Sequence, residues 1–210
     1  MLDYQTIAAP AQDQFTEKRS RFIGYIAPVS TEEQAMAFIE EKRRLHWDAA
    51  HNVFAYVLRE GGLARFSDDG EPSGTAGKPV LDVLAGSGIV DAVIVVTRYF
   101  GGVLLGTGGL TRAYSQGARV AISAAQLLHM RWCAQLEMEL EYHQYGSLAS
   151  LLPKFGALTL ESDFSAAVRL SVLVREARLC PLLREIEEAT SATVVPRVTQ
   201  WLYYDLPDKD

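Results

Sequence analysis

The stretch IVVTRYFGGVLLGTGGLTRAYSQG, residues 94–117, decides how the first half of the chain is read. Its start belongs to an unbroken apolar run, DAVIVVT (91–97), as expected of a central strand buried on both faces. Five glycines then fall between positions 101 and 109. So much glycine weakens a fold unless backbone must sit where a side chain cannot, or φ must be positive. Beyond the loop, Ala113, Gly117, Ala121, Ala124 and Leu128 recur about every four residues. That spacing predicts a helix whose small face lies close on a sheet.

A glycine loop that opens into a helix presents free N–H groups at the positive end of the helix dipole, which suits an anion. Gly101, Gly102, Gly106, Gly108 and Gly109 supply the backbone, Thr107 and Thr111 the hydroxyls, and Arg112 a cation in the first turn. Arg98 adds a guanidinium capable of bidentate contact, and Tyr99, Phe100 and Tyr114 add rings that can stack on bases. The architectural alternative stands beside this one. The glycines then serve tight turns, Arg98 pairs with Asp68, Asp69 or Glu71, and Tyr99 and Phe100 belong to the core. Familiar nucleotide motifs fail. Around Gly77-Lys78 a phosphate-loop pattern meets Pro72 and Pro79 where glycine and a hydroxyl are needed, and Gly106-x-Gly108 continues to Thr111 instead of glycine.

Upstream, FSDDGEPSGTAGKP (66–79) gathers Asp68, Asp69 and Glu71 beside three glycines and Lys78. One reading is an acidic loop for a divalent cation or acid–base work; the other is a turn with helix-capping acids. His51, at a strand start, joins such a site or is a hydrogen-bonded structural histidine. EKRSRF (17–22) offers a phosphate contact or a solvated edge.

The remaining elements follow from pattern. After an irregular lead-in, a strand is expected at 21–29. Ser30 and Glu33 form a capping box for a helix over 31–45. Strands at 52–58 and 63–67 flank a Gly61-Gly62 turn, and Pro79 opens a short helix. Around residue 130 the pattern restarts. WCAQLEMELEYH (132–143) alternates as a half-buried strand, followed by a helix ended by Gly156. Strands at 157–162 and 167–174, a helix at 176–189 and a strand at 193–203 complete a β-α-β-β-α-β, ferredoxin-like unit. Two domains are expected, 1–130 and 131–210.

Composition narrows function. With 20 Lys and Arg against 26 Asp and Glu, the net charge is -6 and each half is acidic. A polyanion site must therefore be local. Cys133 and Cys180 lack metal-ligand spacing, the histidines form no metalloprotease pattern, and no apolar run is long enough to span a membrane. No leader-like start is read either. A cytoplasmic protein is expected, with no cofactor, no resident metal and no assigned catalytic residue.

KRSRF (18–22), FSDDGEPSGTAGKP (66–79) and VTRYFGGVLLGTGGLTRAY (96–114), with HNVFAY (51–56) between the first two, closely resemble the signatures of the YigZ/IMPACT family. The second half resembles the C-terminal domain of the bacterial, two-domain members. The resemblance implies two α+β domains. The first is a left-handed β-α-β domain like a ribosomal small-subunit protein and elongation factor G domain IV; the second is ferredoxin-like, like domain V of that factor. Eukaryotic members with a related first domain regulate translation by restraining a starvation-responsive initiation-factor kinase. The expectation is a non-enzymatic, translation-associated regulator that binds RNA, the ribosome or a translation factor through the glycine and arginine loops. Two alternatives stay open: an enzyme that binds a phosphorylated small molecule or nucleotide at the glycine loop, and a protein-partner adaptor.

Overall fold

The computed structural model describes residues 2–206. It divides into two compact α+β units. One is Tyr4–Leu128; the other runs from His129 and includes Leu2 and Asp3. Among the described residues, no helix is long and apolar enough to cross a membrane.

The first unit contains β1 (Tyr4–Ile7), β2 (Ala11–Glu17), β3 (Ser20–Pro28), α1 (Glu32–Leu45), β4 (His51–Leu58), β5 (Leu63–Ser67), α2 (Gly77–Gly86), β6 (Ala92–Tyr99) and α3 (Thr107–Ala124). Its antiparallel sheet has the order β2-β3-β6-β4-β5, so β6 is central. Both faces of that sheet are covered, which is why β6 reads as continuous hydrophobicity. Period-two alternation sorts the side chains. Phe22, Ile26, Val53, Ala55, Ile94 and Val96 meet α2 and α3. Ile23, Tyr25, Phe54, Tyr56, Val93 and Val95 meet Ala35 and Ile39 of α1. The small face of α3 permits a close crossing: a Cβ on Gly24 would lie 2.1 Å from the Gly117 carbonyl oxygen.

The second unit contains β7 (Leu127–Leu140, which begins in the first unit), α4 (Tyr142–Leu151), β8 (Leu158–Phe164), β9 (Val168–Arg175), α5 (Glu176–Ala189) and β10 (Arg197–Asp205). Its strands order as β10-β7-β9-β8, the antiparallel arrangement of a ferredoxin-like fold. Leu136, Met138, Val172, Leu148, Leu182 and Ile186 pack its core.

Several boundaries differ from the sequence reading. The lead-in is two strands. β2, AQDQFTE, is an edge strand with only Ala11 and Phe15 partly buried, so its periodic signal is faint. The cap of α1 is Thr31, not Ser30. Thr31 Oγ1 accepts from Gln34 N–H at 3.3 Å, while the Ser30 N–H donates to Gln34 Oε1 at 2.7 Å. Adjacent hydroxyls at 30 and 31, with Glu33 and Gln34 following, make the box degenerate by one residue. Pro79 is the third residue of α2, because Asp68 reaches across its loop to the N–H groups of Ala76 and Gly77 and starts the helix earlier. Ala124 is exposed and Leu128 belongs to β7, so the small face of α3 ends at Ala121. β10 begins four residues late. Thr193 N–H bonds back to Thr190 O, Val194 N–H to Thr190 Oγ1, and Pro196 has no N–H to offer a ladder.

Candidate functional site

The sequence motifs meet at the end of the first sheet where β6 finishes. Alternation along β6 sends Arg98 and Tyr99 to opposite faces, and each organises a separate network.

On the α2/α3 face, Arg98 is only 5% exposed. Its Nη1 donates to Glu71 Oε1 at 2.5 Å, and its guanidinium lies 5.6 Å from the Phe22 ring centre and 5.5 Å from that of Phe100. The buried Nε has no hydrogen-bond partner. The Tyr114 hydroxyl donates to the same Glu71 oxygen at 2.7 Å. Burial, reinforced by that carboxylate, holds the Tyr114 phenol protonated well beyond its ordinary range. His51 donates from Nδ1 to the Asp69 carbonyl at 2.8 Å, which leaves Nε2 facing Glu71 Oε1 at 3.7 Å. Side chains from β4, β6 and α3 thus converge on one buried carboxylate.

Asp68, Asp69 and Glu71 point to different partners. Asp68 accepts from Gly74, Ala76 and Gly77 N–H groups. Asp69, at φ 45°, accepts from Asn52 N–H and from Arg43. Glu71 takes Arg98 and Tyr114. Among the described residues, no cluster of histidine, cysteine or acidic side chains is arranged to hold a metal ion.

On the α1 face, His46 sits between two phenols. The Tyr99 hydroxyl donates to Asp48 at 3.1 Å, so its oxygen accepts from His46 Nδ1–H at 2.8 Å; His46 Nε2 in turn accepts from Tyr25 at 2.7 Å. Burial, with Arg21 and Lys42 adding to it, lowers the His46 pKa and keeps the ring neutral. Arg21 lies over the Tyr99 ring at 4.5 Å.

The glycines divide by task. A Cβ on Gly101 would lie 2.1 Å from the carbonyl carbon and oxygen of Arg19, so this glycine admits the β2–β3 turn. Gly106, at φ 72°, caps α3 without a side chain. Gly102 and Gly108 are exposed with open space around them, and Gly109 contacts Leu105. Thr107 and Thr111 are exposed in the first turn, with Thr111 bonded back to the Thr107 carbonyl. Lys78 is exposed and paired with Asp82 one turn along α2.

Along α3, from that first turn to Arg119, a pocket of about 380 Å³ is lined by Lys18, Arg112 and Arg119 together with Glu17, Phe15, Leu105 and Gly109. Among the described residues none of these three cations forms an ion pair. Large apolar side chains stand out at the same end of the sheet: Trp47 is 83% exposed, Leu104 82% and Phe100 51%. The Tyr99–Asp48 bond and the Ala50 N–H bond to the Arg98 carbonyl tie the Trp47 turn to the end of β6.

Of the residues singled out from sequence, Arg98 and Glu71 come together as buried anchors, joined by Tyr114, while Tyr99 belongs to the separate His46 network on the α1 face. Arg112, Thr107, Thr111, Gly102, Gly106 and Gly108 form the exposed rim. Sequence reasoning missed His46, Trp47 and Arg119. No motif marks them; the one available signal was a tryptophan within a charged run, EEKRRLHWD (40–48).

Comparison with known proteins follows the same division. The Impact N-terminal domain matches residues 18–122, and a domain of unknown function, DUF1949, matches residues 138–193. The chain is 39% identical to IMPACT family member YigZ of Escherichia coli, over 82% of this chain and 86% of that protein. It is 36% identical to IMPACT family member YvyE of Bacillus subtilis, over 82% and 80%. A crystal structure described as that of a hypothetical protein matches with a TM-score of 0.60 and 34% identity, covering 95% of this chain and 98% of the other. The chain belongs to the IMPACT family.

Proposed function

We propose that this protein is a non-enzymatic, translation-associated regulator that docks on ribosomal RNA through the exposed rim of its first unit. The observation that carries the reading is the company kept at the end of β6. Three cations that form no ion pair among the described residues, Lys18, Arg112 and Arg119, line one pocket with a single acid, Glu17, along α3, whose first turn has no side-chain cap. Trp47 and Phe100 project from the same end. Cations place phosphates, free N–H groups at a helix start donate to their oxygens, and exposed rings stack on unpaired bases. In a chain of net charge -6, such a concentration is a local feature rather than a consequence of composition. Arg98 serves this surface from behind, by fixing the loop of Glu71 to β6 and α3.

The test is co-sedimentation with ribosomes and with naked RNA across a salt series, using the parent protein and an Arg112→Ala/Arg119→Ala variant. The parent is expected to bind with an affinity that falls steeply with salt. Removing two phosphate contacts should flatten the log–log slope by about 1.4 for single-stranded RNA. Trp47→Ala should weaken binding and leave the slope unchanged. Absence of binding, or binding indifferent to both arginines, overturns the RNA reading. Salt-insensitive capture of a single translation factor moves the role to a protein partner.

A further inference from the structure

The outer face of the second unit, opposite its helices, carries a charge pattern that stops short at one edge. Two cross-strand rows run over it. Arg197 of β10 stands opposite Glu137 of β7, Glu137 opposite Ser171 of β9, and Ser171 opposite Glu161 of β8. In the next row Glu139 of β7 stands opposite Arg169 of β9, and Arg169 opposite Asp163 of β8. Arg169 is already bonded to Glu139 at 3.0 Å. Each row therefore has a cation within it and ends at β8 on an acid that no cation beyond the edge answers. Together these residues border a shallow pocket of about 540 Å³.

β8 is also the end strand of the sheet, and every one of its residues is exposed. Its outward backbone edge is a template for another strand. Its sequence, LTLESDF, has none of the lysine or proline that commonly blunts such edges, and the register shift it carries, between Thr159 and Glu161, leaves Glu161–Phe164 in regular pairing. Leu158, Leu160 and Phe164 are 39%, 42% and 51% exposed along it.

We propose that β8 accepts, as an added strand, an extended segment of a partner protein bearing lysine or arginine at alternate positions. Period-two geometry makes the match specific. Glu161 and Asp163 lie two residues apart on one face, so a neighbouring strand places its own i and i+2 side chains directly beside them. Cations there continue both rows, and the intervening residues fall on the side of Phe164. The same geometry disfavours a second copy of this chain, because β8 against β8 would set acid against acid. Main-chain bonds supply affinity and the two acids supply selectivity.

The probe is a labelled peptide, TKVKVKVT, titrated against the full chain. Two controls accompany it: a peptide of identical composition with its lysines in one block, and the alternating peptide N-methylated at every second amide. Binding of the alternating peptide should protect the amides of residues 158–164 from hydrogen exchange. Glu161→Lys/Asp163→Lys, both at exposed positions, should weaken it about tenfold. Methylation of the edge that faces β8 should abolish it. Equal binding of the blocked or methylated peptide would reduce the interaction to charge attraction and overturn strand addition. Unchanged affinity of the double variant, or protection confined to other strands, overturns it as well.

Discussion

At the scale of single residues, the decisive fact is that Arg98 faces inward. TRYFGG and DDGEP left two readings of Arg98 open, a ligand contact and a pairing with one of the three loop acids, and the structure has the second. Its direction was not legible in them, because alternation along a central strand shows that Arg98 and Tyr99 oppose one another without saying which face each takes. Register against β3 and β4 settles that, and register is a property of the sheet. A buried ion pair adds little net stability while intact, but removing one partner strands the other charge. Arg98→Ala, which leaves Glu71 only 8% exposed and without its guanidinium, should cost about 3–5 kcal/mol. Tyr114→Phe, which removes one hydrogen bond to the same carboxylate, should cost about 1–3 kcal/mol. Arg112→Ala, exposed on the rim, should stay within about 0.5 kcal/mol. Denaturant unfolding of the three variants checks the order. A near-neutral Arg98→Ala would mean that the residue does not anchor the loop of Glu71, and would return it to the candidate ligand contacts.

At the scale of elements, the helix α3 shows why existence was easier to read than boundaries. Its small face was visible as Ala113, Gly117 and Ala121, and all three are buried against the sheet. What the spacing did not disclose is that the partner position is also glycine. The approach of α3 depends on Gly24 of β3 meeting the Gly117 carbonyl, and Gly117 in turn fits against Val96 of β6. Gly24→Ala would set a methyl group 2.1 Å from that carbonyl oxygen, a contact relieved only by moving helix or strand. We expect a loss of about 1–3 kcal/mol, the usual range for an overpacked core. Amide exchange should accelerate first in α3, since the helix must lift for the methyl to fit. If α3 keeps its protection while stability is unchanged, the close crossing is not what positions the rim. The cap at Thr31 and the early start of α2 teach a related lesson. Where two neighbouring residues share the same capping chemistry, or an acid nine residues upstream supplies the cap, local sequence leaves the boundary free by one or two positions.

At the scale of the whole molecule, each unit buries its own hydrophobic clusters. The ferredoxin-like unit was readable because β-α-β-β-α-β alternates cleanly and its connections are short, so few topologies remain. The first unit was harder, since two of its strands are polar or peripheral and its order β2-β3-β6-β4-β5 arises from pairings distant in sequence. The cores themselves keep to their units: Leu136, Val172, Leu182 and Ile186 pack in the second, and Phe22, Ile94, Val96 and Tyr114 in the first. Leu136 is fully buried on the helix side of β7. Leu136→Ala should therefore cost the second unit about 2–5 kcal/mol through lost burial and the cavity left behind. Hydrogen exchange followed by mass spectrometry should find the loss in β9 and α5, with β6 and the rim around Arg112 retaining their protection. RNA binding by the rim should survive the substitution, because none of the side chains proposed to make it draws on that core. Parallel loss of protection in β6 would show that the units unfold as one. In that case, substitutions in either unit would have to be judged against the stability of both before any loss of binding is assigned to a contact.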